Sequence, residues 1–255
     1  MADSGAKRTE GGGVLGFLRE IGIVVVGALI ASTLLRMFLL QVFVIPSGSM
    51  ENTLLIGDRV AVEKVVGFQR GDIVVFRDDL GWLPPAADAQ QTWLQSTLTF
   101  LGLLPDESRN YLIKRAIGLP GDHVQCCDAQ GRLLVNGQPL DEASYLYTDP
   151  ATGQRVKPSE VAFDLVVPQG RLFVMGDHRN ESADSRCHLA EDYNGVLGAA
   201  AFVREESVVG AGVATVFPFD RIAGHGRPAT FGAVPAASGT PPSTPVINGE
   251  PPPPC

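Results

Sequence analysis

Two residues of this chain, a serine and a lysine, have the types and the surroundings that nucleophilic catalysis needs. Ser49 lies in the turn-like segment Ile45–Met50, a few residues after a long apolar stretch, and Lys114 follows Leu112 and Ile113 in a β-like run. A serine hydroxyl attacks a carbonyl only when a base takes its proton. Burial among apolar side chains lowers the pKa of a lysine from about 10.4 towards 7 or 8, which makes it such a base. The pair could therefore carry out acyl transfer.

Both residues also have an ordinary structural interpretation. Ser-Gly-Ser is common in turns, and a lysine on an edge strand usually serves solubility. A Ser-His-Asp triad is a further alternative, because His178 or His188 with Asp184 is compatible with an arrangement assembled in space. No Gly-x-Ser-x-Gly elbow surrounds any serine of the chain.

A third segment, from Leu172 to Arg186, is unusually dense in charge. A strand-like apolar run breaks at Gly176 into consecutive polar and charged residues. A loop of this kind usually has either an internal hydrogen-bond network or a functional site.

The elements that must position these segments begin with an apolar N-terminal stretch. Residues 1–20 are polar and Gly-rich and predict a short tail. Residues 21–43 are almost entirely apolar, and Ile21 to Leu40 as a helix would span roughly the 30 Å of a hydrocarbon core. We predict an uncleaved transmembrane anchor, because the run exceeds a signal-peptide core and no small-x-small cleavage site follows it. The basic residues before it favour a cytoplasmic N-terminus.

The remainder, residues 44–229, is predicted to be a mainly β domain. The chain holds 29 glycines and 19 prolines between short, Val-rich apolar segments, which favours strands and turns over a helical bundle. Residues 82–110 interrupt this pattern as an insertion, in which Thr92 to Leu104 is predicted to be helical. Residues 230–255 are rich in Pro, Ser, Gly and Ala and predict a disordered tail.

Charge and cysteine content argue against several functions. A net charge of -8 without any Lys/Arg-dense run argues against nucleic-acid binding. No Cys/His spacing suits zinc, so neither a structural metal nor another cofactor is expected. In an oxidising compartment Cys187 could pair with Cys126 or Cys127, and free thiols are the alternative.

Three segments, in this order after an N-terminal anchor, resemble the motif boxes of the bacterial type I signal peptidases. They are Ile45–Glu63, Arg70–Phe76 together with Tyr111–Asp122, and Phe173–Arg186. The resemblance implies an antiparallel β-sheet catalytic domain similar to that of the SOS-type repressor proteases, with one N-terminal transmembrane helix. It also implies a membrane-anchored serine endopeptidase that removes signal peptides from exported preproteins.

The resemblance assigns roles residue by residue. Ser49 would be the nucleophile and Lys114 the general base, Ser47 would add its hydroxyl to an oxyanion hole, and Ser182 would orient the lysine. A supporting network would comprise Asp177, Arg179, Asp184 and Arg186. The residues that would line pockets for small side chains, one and three residues before the cut, are Phe43, Ile45, Met50, Leu54 and Ile113.

The resemblance further implies a location and partners. The protein would lie in a bacterial plasma membrane with its catalytic domain outside, in contact with preproteins, lipid and the secretion translocon. The sequence departs from the family pattern at Glu51-Asn52, where a proline is usual, and at His178 and Asn180. Two alternatives share the same residues: a peptidase dedicated to one substrate, and a membrane-tethered binding or assembly factor without turnover.

Overall fold

The N-terminal apolar stretch forms one long helix. The computed structural model describes residues 13–84, 92, 111–253 and 255, and helix α1 runs from Gly13 to Phe38. Its segment Gly16–Thr33 has a mean hydropathy of 1.6 and is long and apolar enough to cross a membrane by length and composition, a test that a signal sequence also passes. The helix therefore fits the expected anchor.

The helix and the predicted anchor differ at both ends. Residues 13–20 are helical, and residues 40–44, the last of which opens the predicted β domain, form a strand that pairs with Arg59–Glu63. The segment Leu40–Val44 is rich in β-branched and aromatic residues, which suit a pleated strand with one face against neighbours. Hydropathy alone does not mark this boundary, since both the helix and the strand are apolar.

The rest of the described chain is mainly antiparallel β structure, as predicted. The strands are β1 Leu40–Val44, β2 Arg59–Glu63, β3 Ile73–Arg77, β4 Tyr111–Gly118, β5 His123–Cys126, β6 Leu133–Val135, β7 Gln138–Pro139, β8 Phe163–Val166, β9 Arg171–Met175, β10 Asp192–Tyr193, β11 Val196–Leu197, β12 Val203–Arg204, β13 Val208–Phe217, β14 Ala223–Gly224 and β15 Val246–Ile247. The larger sheet has the order β1-β2-β13-β3-β4-β9-β12, with β14 beside β13. A 5-stranded sheet has the order β15-β8-β5-β6-β7, and β10 pairs with β11.

Strands β3, β4 and β9 form the centre that positions the site. Residues 73–76 of β3 are all buried, as are the last six residues of β4, so both faces of these strands are covered. The β3 segment is apolar throughout, whereas β4 places Lys114 and Arg115 in the interior. Phe173 and Met175 of β9 share a buried apolar cluster with Val124 and Leu165 of the smaller sheet. This cluster joins the two sheets into one core.

The C-terminal segment differs from the predicted disordered tail. Phe231 is only 4% exposed, and β15 pairs with β8. The backbone N–H of Gln169 also donates to the carbonyl of Pro242 at 2.8 Å. A few apolar side chains in a Pro-rich segment are therefore enough to hold it against the domain, and its partners are too distant in sequence for local composition to show them.

Two disulfides join Cys126 to Cys127 and Cys187 to Cys255. The prediction that Cys187 pairs with Cys126 or Cys127 is therefore wrong. The physical reason is the path of the C-terminal segment, which returns over the domain and brings Cys255 to Cys187. The predicted helix within residues 82–110 falls, apart from Thr92, on residues outside the described part of the chain.

Candidate active site

Ser49 lies in a short 3-10 turn, Gly48–Met50, that follows β1. The turn is closed by the N–H of Glu51, which donates to the carbonyl of Gly48 at 2.9 Å. Met50 and Leu54 are fully buried, so the turn is anchored in the apolar core on the C-terminal side of Ser49. The serine itself is only 5% exposed. The position of its hydroxyl is thus fixed by packing rather than by a free loop.

Lys114 on β4 reaches this hydroxyl. Its Nζ donates a hydrogen bond to Ser49 Oγ at 2.6 Å, and the lysine is only 3% exposed. Burial lowers the pKa of Lys114 to about 8, although the carboxylates of Asp184 and Asp177 raise it. A neutral Lys114 amine, able to take the proton of Ser49, is therefore accessible near neutral pH.

Ser47 and Ser182, the two other serines to which the resemblance assigns roles, both lie near Ser49. The exposed Ser47 has its Oγ 3.4 Å from Ser49 Oγ. Ser182 Oγ is buried and has no hydrogen-bond partner among the described residues, so the structure does not contain the bond to Lys114 that the resemblance implies. A side chain at Gly176 would run into both Ser182 Oγ and the carbonyl oxygen of Ser49. The Ser182 hydroxyl is thus close to the nucleophile turn.

Replacing Gly176 by alanine should therefore destabilise the protein. The added Cβ would overlap Ser182 and the Ser49 carbonyl, and overpacking of this kind costs about 1–3 kcal/mol. Urea denaturation of the variant would measure the loss of unfolding free energy. Gly226→Ala is the matched control, because a Cβ there meets nothing within 4 Å. Equal stability of the two variants would show that the site has room at Gly176.

Asp177 is joined to the neighbour of the lysine. Arg115 Nε and Nη2 donate to the two oxygens of the Asp177 carboxylate at 2.8 and 2.5 Å. Thr53 Oγ1 donates to the same carboxylate at 2.5 Å, and Arg115 Nη1 donates to the carbonyl of Gly71 at 2.6 Å. This bidentate pair therefore ties β4 to the loop that follows β9.

Asp184 holds the other part of this loop. It accepts from Arg186 Nε and Nη2, each at 2.9 Å, and from the N–H of Gly176 at 2.9 Å. Burial alone would raise the pKa of Asp184, but the charge and hydrogen bonds of Arg186 outweigh it and lower that pKa. An ionised Asp184 thus faces the Lys114 amine and favours the ammonium ion that would form during proton transfer.

Arg179 is fully enclosed by a second set of partners. It donates to Glu142 Oε1 at 2.5 Å, to the carbonyl of Gly176 at 2.9 Å and to the carbonyl of Pro158 at 2.6 Å. Burial lowers its pKa, but Glu142 outweighs burial and raises it. The four predicted network residues therefore belong to three ion pairs near Gly176, which are Arg115–Asp177, Arg186–Asp184 and Arg179–Glu142. Sequence reasoning missed Glu142, Thr53 and the Arg115–Asp177 pair, and no local pattern marks them.

The five residues predicted to line substrate pockets lie together. Ile45, Met50, Leu54 and Ile113 belong to one buried apolar cluster, against which Phe43 packs. The ring of Phe43 contacts that of Tyr111 edge to face, with centroids 5.0 Å apart. Because Met50 is adjacent to Ser49, this apolar cluster adjoins the Ser49 turn.

Neither histidine of the alternative triad contacts Ser49 Oγ in the described structure. The ring of His188 stacks on Trp82 with centroids 4.6 Å apart, and its Nδ1 lies 2.9 Å from Glu191 Oε2. The ring of His178 stacks on Tyr147 with centroids 3.7 Å apart. The geometry thus favours the lysine over a histidine as the base.

The comparisons with known proteins agree with the resemblance. A family model described as signal peptidase, peptidase S26 matches residues 18–217. The signal peptidase I of Mycobacterium tuberculosis (strain H37Rv) is 38% identical over 191 residues, covering 67% of this chain and 63% of that protein. The probable signal peptidase I of Mycobacterium leprae is 33% identical over 237 residues, covering 82% and 79%.

The alignment thus spans slightly less than two thirds of the length of the M. tuberculosis relative. A crystal structure of a signal peptidase I from Enterococcus faecalis aligns with 56% of this chain and 95% of that chain, at 26% identity and a TM-score of 0.33.

Proposed function

The chain belongs to the S26 family of signal peptidases, and from this premise we propose that it is a membrane-anchored serine endopeptidase that cleaves N-terminal signal peptides from exported preproteins. The observation that carries the proposal is the 2.6 Å hydrogen bond between Lys114 Nζ and Ser49 Oγ in a buried site. A nucleophile with a base of pKa about 8 beside it is equipped for acyl transfer.

The reaction would proceed in two halves. Neutral Lys114 takes the proton of Ser49 as its Oγ attacks the scissile carbonyl, and the resulting oxyanion faces the Ser47 hydroxyl and the Ser49 N–H. The Lys114 ammonium then gives its proton to the leaving amine as the peptide bond breaks. Water attacks the acyl-enzyme while Lys114 takes a proton from it, and the proton returns to Ser49 as the signal peptide leaves.

The ion pairs would hold the base in place. Asp184 and Asp177 each lower the free energy of the ammonium form of Lys114. The positive charge that Lys114 gains from Ser49 would therefore be stabilised by carboxylates that are already in place. We assign Asp177, Arg179, Asp184 and Arg186 to this supporting role. Ser182 would hydrogen-bond Lys114 when its side chain rotates towards the amine, which would satisfy a hydroxyl that has no described partner.

The apolar cluster supports a preference for small residues one and three residues before the cut. Ile45, Met50 and Leu54 are at most 2% exposed, so little space is left between them for a substrate side chain. Alanine-sized groups would enter such space at the least cost, since large side chains would require repacking of a dense core.

Helix α1 would hold the enzyme at the surface where its substrates emerge. Only β1 and a short turn separate the end of α1 at Phe38 from Ser49. We therefore place the protein as a single-pass component of a bacterial plasma membrane, with a cytoplasmic N-terminus and the β domain outside. Its partners would be preproteins, lipid and the secretion translocon.

Cleavage should follow the ionisation of Lys114. Below pH 8 the amine is protonated and cannot take the proton of Ser49, so kcat/KM should rise about tenfold per pH unit and level off above about 8. The measurement is cleavage of a purified preprotein by the full chain in detergent from pH 6 to 10, with Ser49→Ala as the inactive control. A midpoint near 6.5 would implicate a histidine, and no cleavage at any pH would favour a binding factor.

A further inference from the structure

A groove of about 920 Å³ opens beside the nucleophile turn. Ser47 and Gly48 of this turn line the groove, together with Glu51, Tyr147 and His178. The groove shares no residue with the apolar cluster that we assign to the substrate residues before the cut. The turn that carries Ser49 thus has an apolar environment for one part of a substrate and a polar groove for another.

The carboxylate of Glu51 is placed against this turn. A Cβ added to Gly48 would lie 2.9 Å from Glu51 Oε1 and 3.0 Å from its carboxyl carbon. Gly48 stands between Ser47, whose hydroxyl we assign to the oxyanion hole, and the nucleophile Ser49. The Glu51 carboxylate therefore lies against Gly48, the residue that joins Ser47 to Ser49. The side chain of Glu51 is 29% exposed.

The ring of His178 lies against this carboxylate, at ion-pair distance but without hydrogen-bond geometry. Its Nδ1 lies 3.2 Å from Glu51 Oε2, its ring stacks on Tyr147, and its backbone N–H donates to the carbonyl of Ser49 at 3.1 Å. The side chain of His178 is only 10% exposed, so it forms a fixed wall rather than a mobile surface group. His178 is one of the positions at which the sequence departs from the family pattern, and Glu51 precedes another, Asn52, where a proline is usual. The structure brings Glu51 and His178 into contact.

Among the charged residues that line the groove, Glu51 is the one that caps the turn carrying Ser49. Lys157 is paired with Glu160 at 2.9 Å. Asp149 is held in its own turn by the N–H of Ala151, which lowers its pKa and keeps it anionic. Arg155 and Glu181, of opposite charge, line the groove as exposed residues. A cationic side chain entering at the Ser47 end would therefore meet a carboxylate.

We propose that this groove receives the substrate residues that follow the scissile bond, and that Glu51, which lies against the buried ring of His178, selects a basic side chain there. The inference rests on the proposed function, because it takes the residues before the cut to occupy the apolar cluster. A chain that passes Ser49 in an extended form and leaves that cluster then enters the groove at Ser47 and Gly48.

The test compares peptides that share their residues before the cut and carry Lys, Ala or Glu directly after it. With the full chain in detergent, we expect kcat/KM to be about fivefold higher for Lys than for Ala, the value of one partly exposed ion pair, and lowest for Glu. In Glu51→Gln the Lys-to-Ala ratio should fall to about one. Glu181→Gln, which removes an exposed carboxylate of the same groove, should keep the wild-type ratio.

The role of His178 is tested by a double-mutant cycle. His178→Gln should reduce the Lys-to-Ala ratio, and combining it with Glu51→Gln should give no further change, because the histidine acts through the carboxylate. A preference that survives Glu51→Gln, or equal cleavage of the three peptides by the wild type, would overturn this inference alone. Failure of the wild type to cleave any of them in a Ser49-dependent way would instead overturn the proposed function.

Discussion

Replacing Lys114 by methionine is expected to lower the rate of preprotein cleavage by about 10⁴-fold, the upper range for loss of a general base. Methionine matches the length of the lysine stem but cannot take the proton of Ser49, whose Oγ is 2.6 Å from Lys114 Nζ. The measurement is single-turnover cleavage of a preprotein at pH 9, where the wild-type amine is mostly neutral. Because the two residues act as a unit, Ser49→Ala/Lys114→Met should be no slower than either single variant.

A loss of activity in this variant can be separated from a loss of fold. Methionine places an apolar group in a site where an ammonium ion is disfavoured, so Lys114→Met should unfold at the same or a higher urea concentration than the wild type. A folded but inactive variant supports the assigned base. Full activity in the folded variant would contradict the dyad. The candidate base would then be His178, whose backbone N–H donates a hydrogen bond to the Ser49 carbonyl.

Replacing Asp177 by alanine should destabilise the protein by about 3–5 kcal/mol, because it leaves Arg115 charged and unpaired in the core. The two side chains are 3% and 0% exposed and share two hydrogen bonds. The measurement is the free energy of unfolding from urea titration of the purified protein. Glu160→Gln, which breaks the exposed pair with Lys157, is the control and should leave stability almost unchanged.

A double-mutant cycle shows whether the Asp177 effect comes from the buried charge. Arg115→Leu/Asp177→Leu should lose less unfolding free energy than the sum of the two single leucine variants, since the double variant leaves neither charge uncompensated. Additive losses would show that the pair does not interact in solution.

Fold class could be predicted from sequence because it follows from local chemistry. Frequent glycine and proline between Val-rich runs favour strands, and the described residues beyond α1 form antiparallel sheets. The boundaries of elements that depend on partners distant in sequence were harder to predict. Leu40–Val44 is apolar like the helix before it, and only its pairing with Arg59–Glu63 makes it a strand. The pairing of Val246 with Val166 likewise holds a segment whose composition predicts disorder.

Some residues of the candidate site could likewise be predicted from the sequence, whereas others could not. The resemblance to the signal peptidases is confirmed by the family match, and it named Ser49 and Lys114, which the structure brings together. The partners of Arg115 and Arg179 depend on which strands are adjacent, so Asp177 and Glu142 could not be inferred as their partners from any local pattern. The contact between Glu51 and His178 is of this kind too, since only the fold brings these two residues, distant in sequence, together.

With Lys114 as the proposed base, its order with Arg115 on β4 would make catalysis depend on accurate strand alignment during folding. A shift of β4 by one residue between β3 and β9 would put either Arg115 or Ile113 at the position of Lys114. A guanidinium that never deprotonates cannot take the proton of Ser49, and neither can an isoleucine. A molecule with this shifted register would have the same secondary structure and net charge as the native protein but would be inactive. The bidentate ion pair between Arg115 and Asp177 forms only in the correct strand register. It therefore stabilises the same register that the proposed reaction requires.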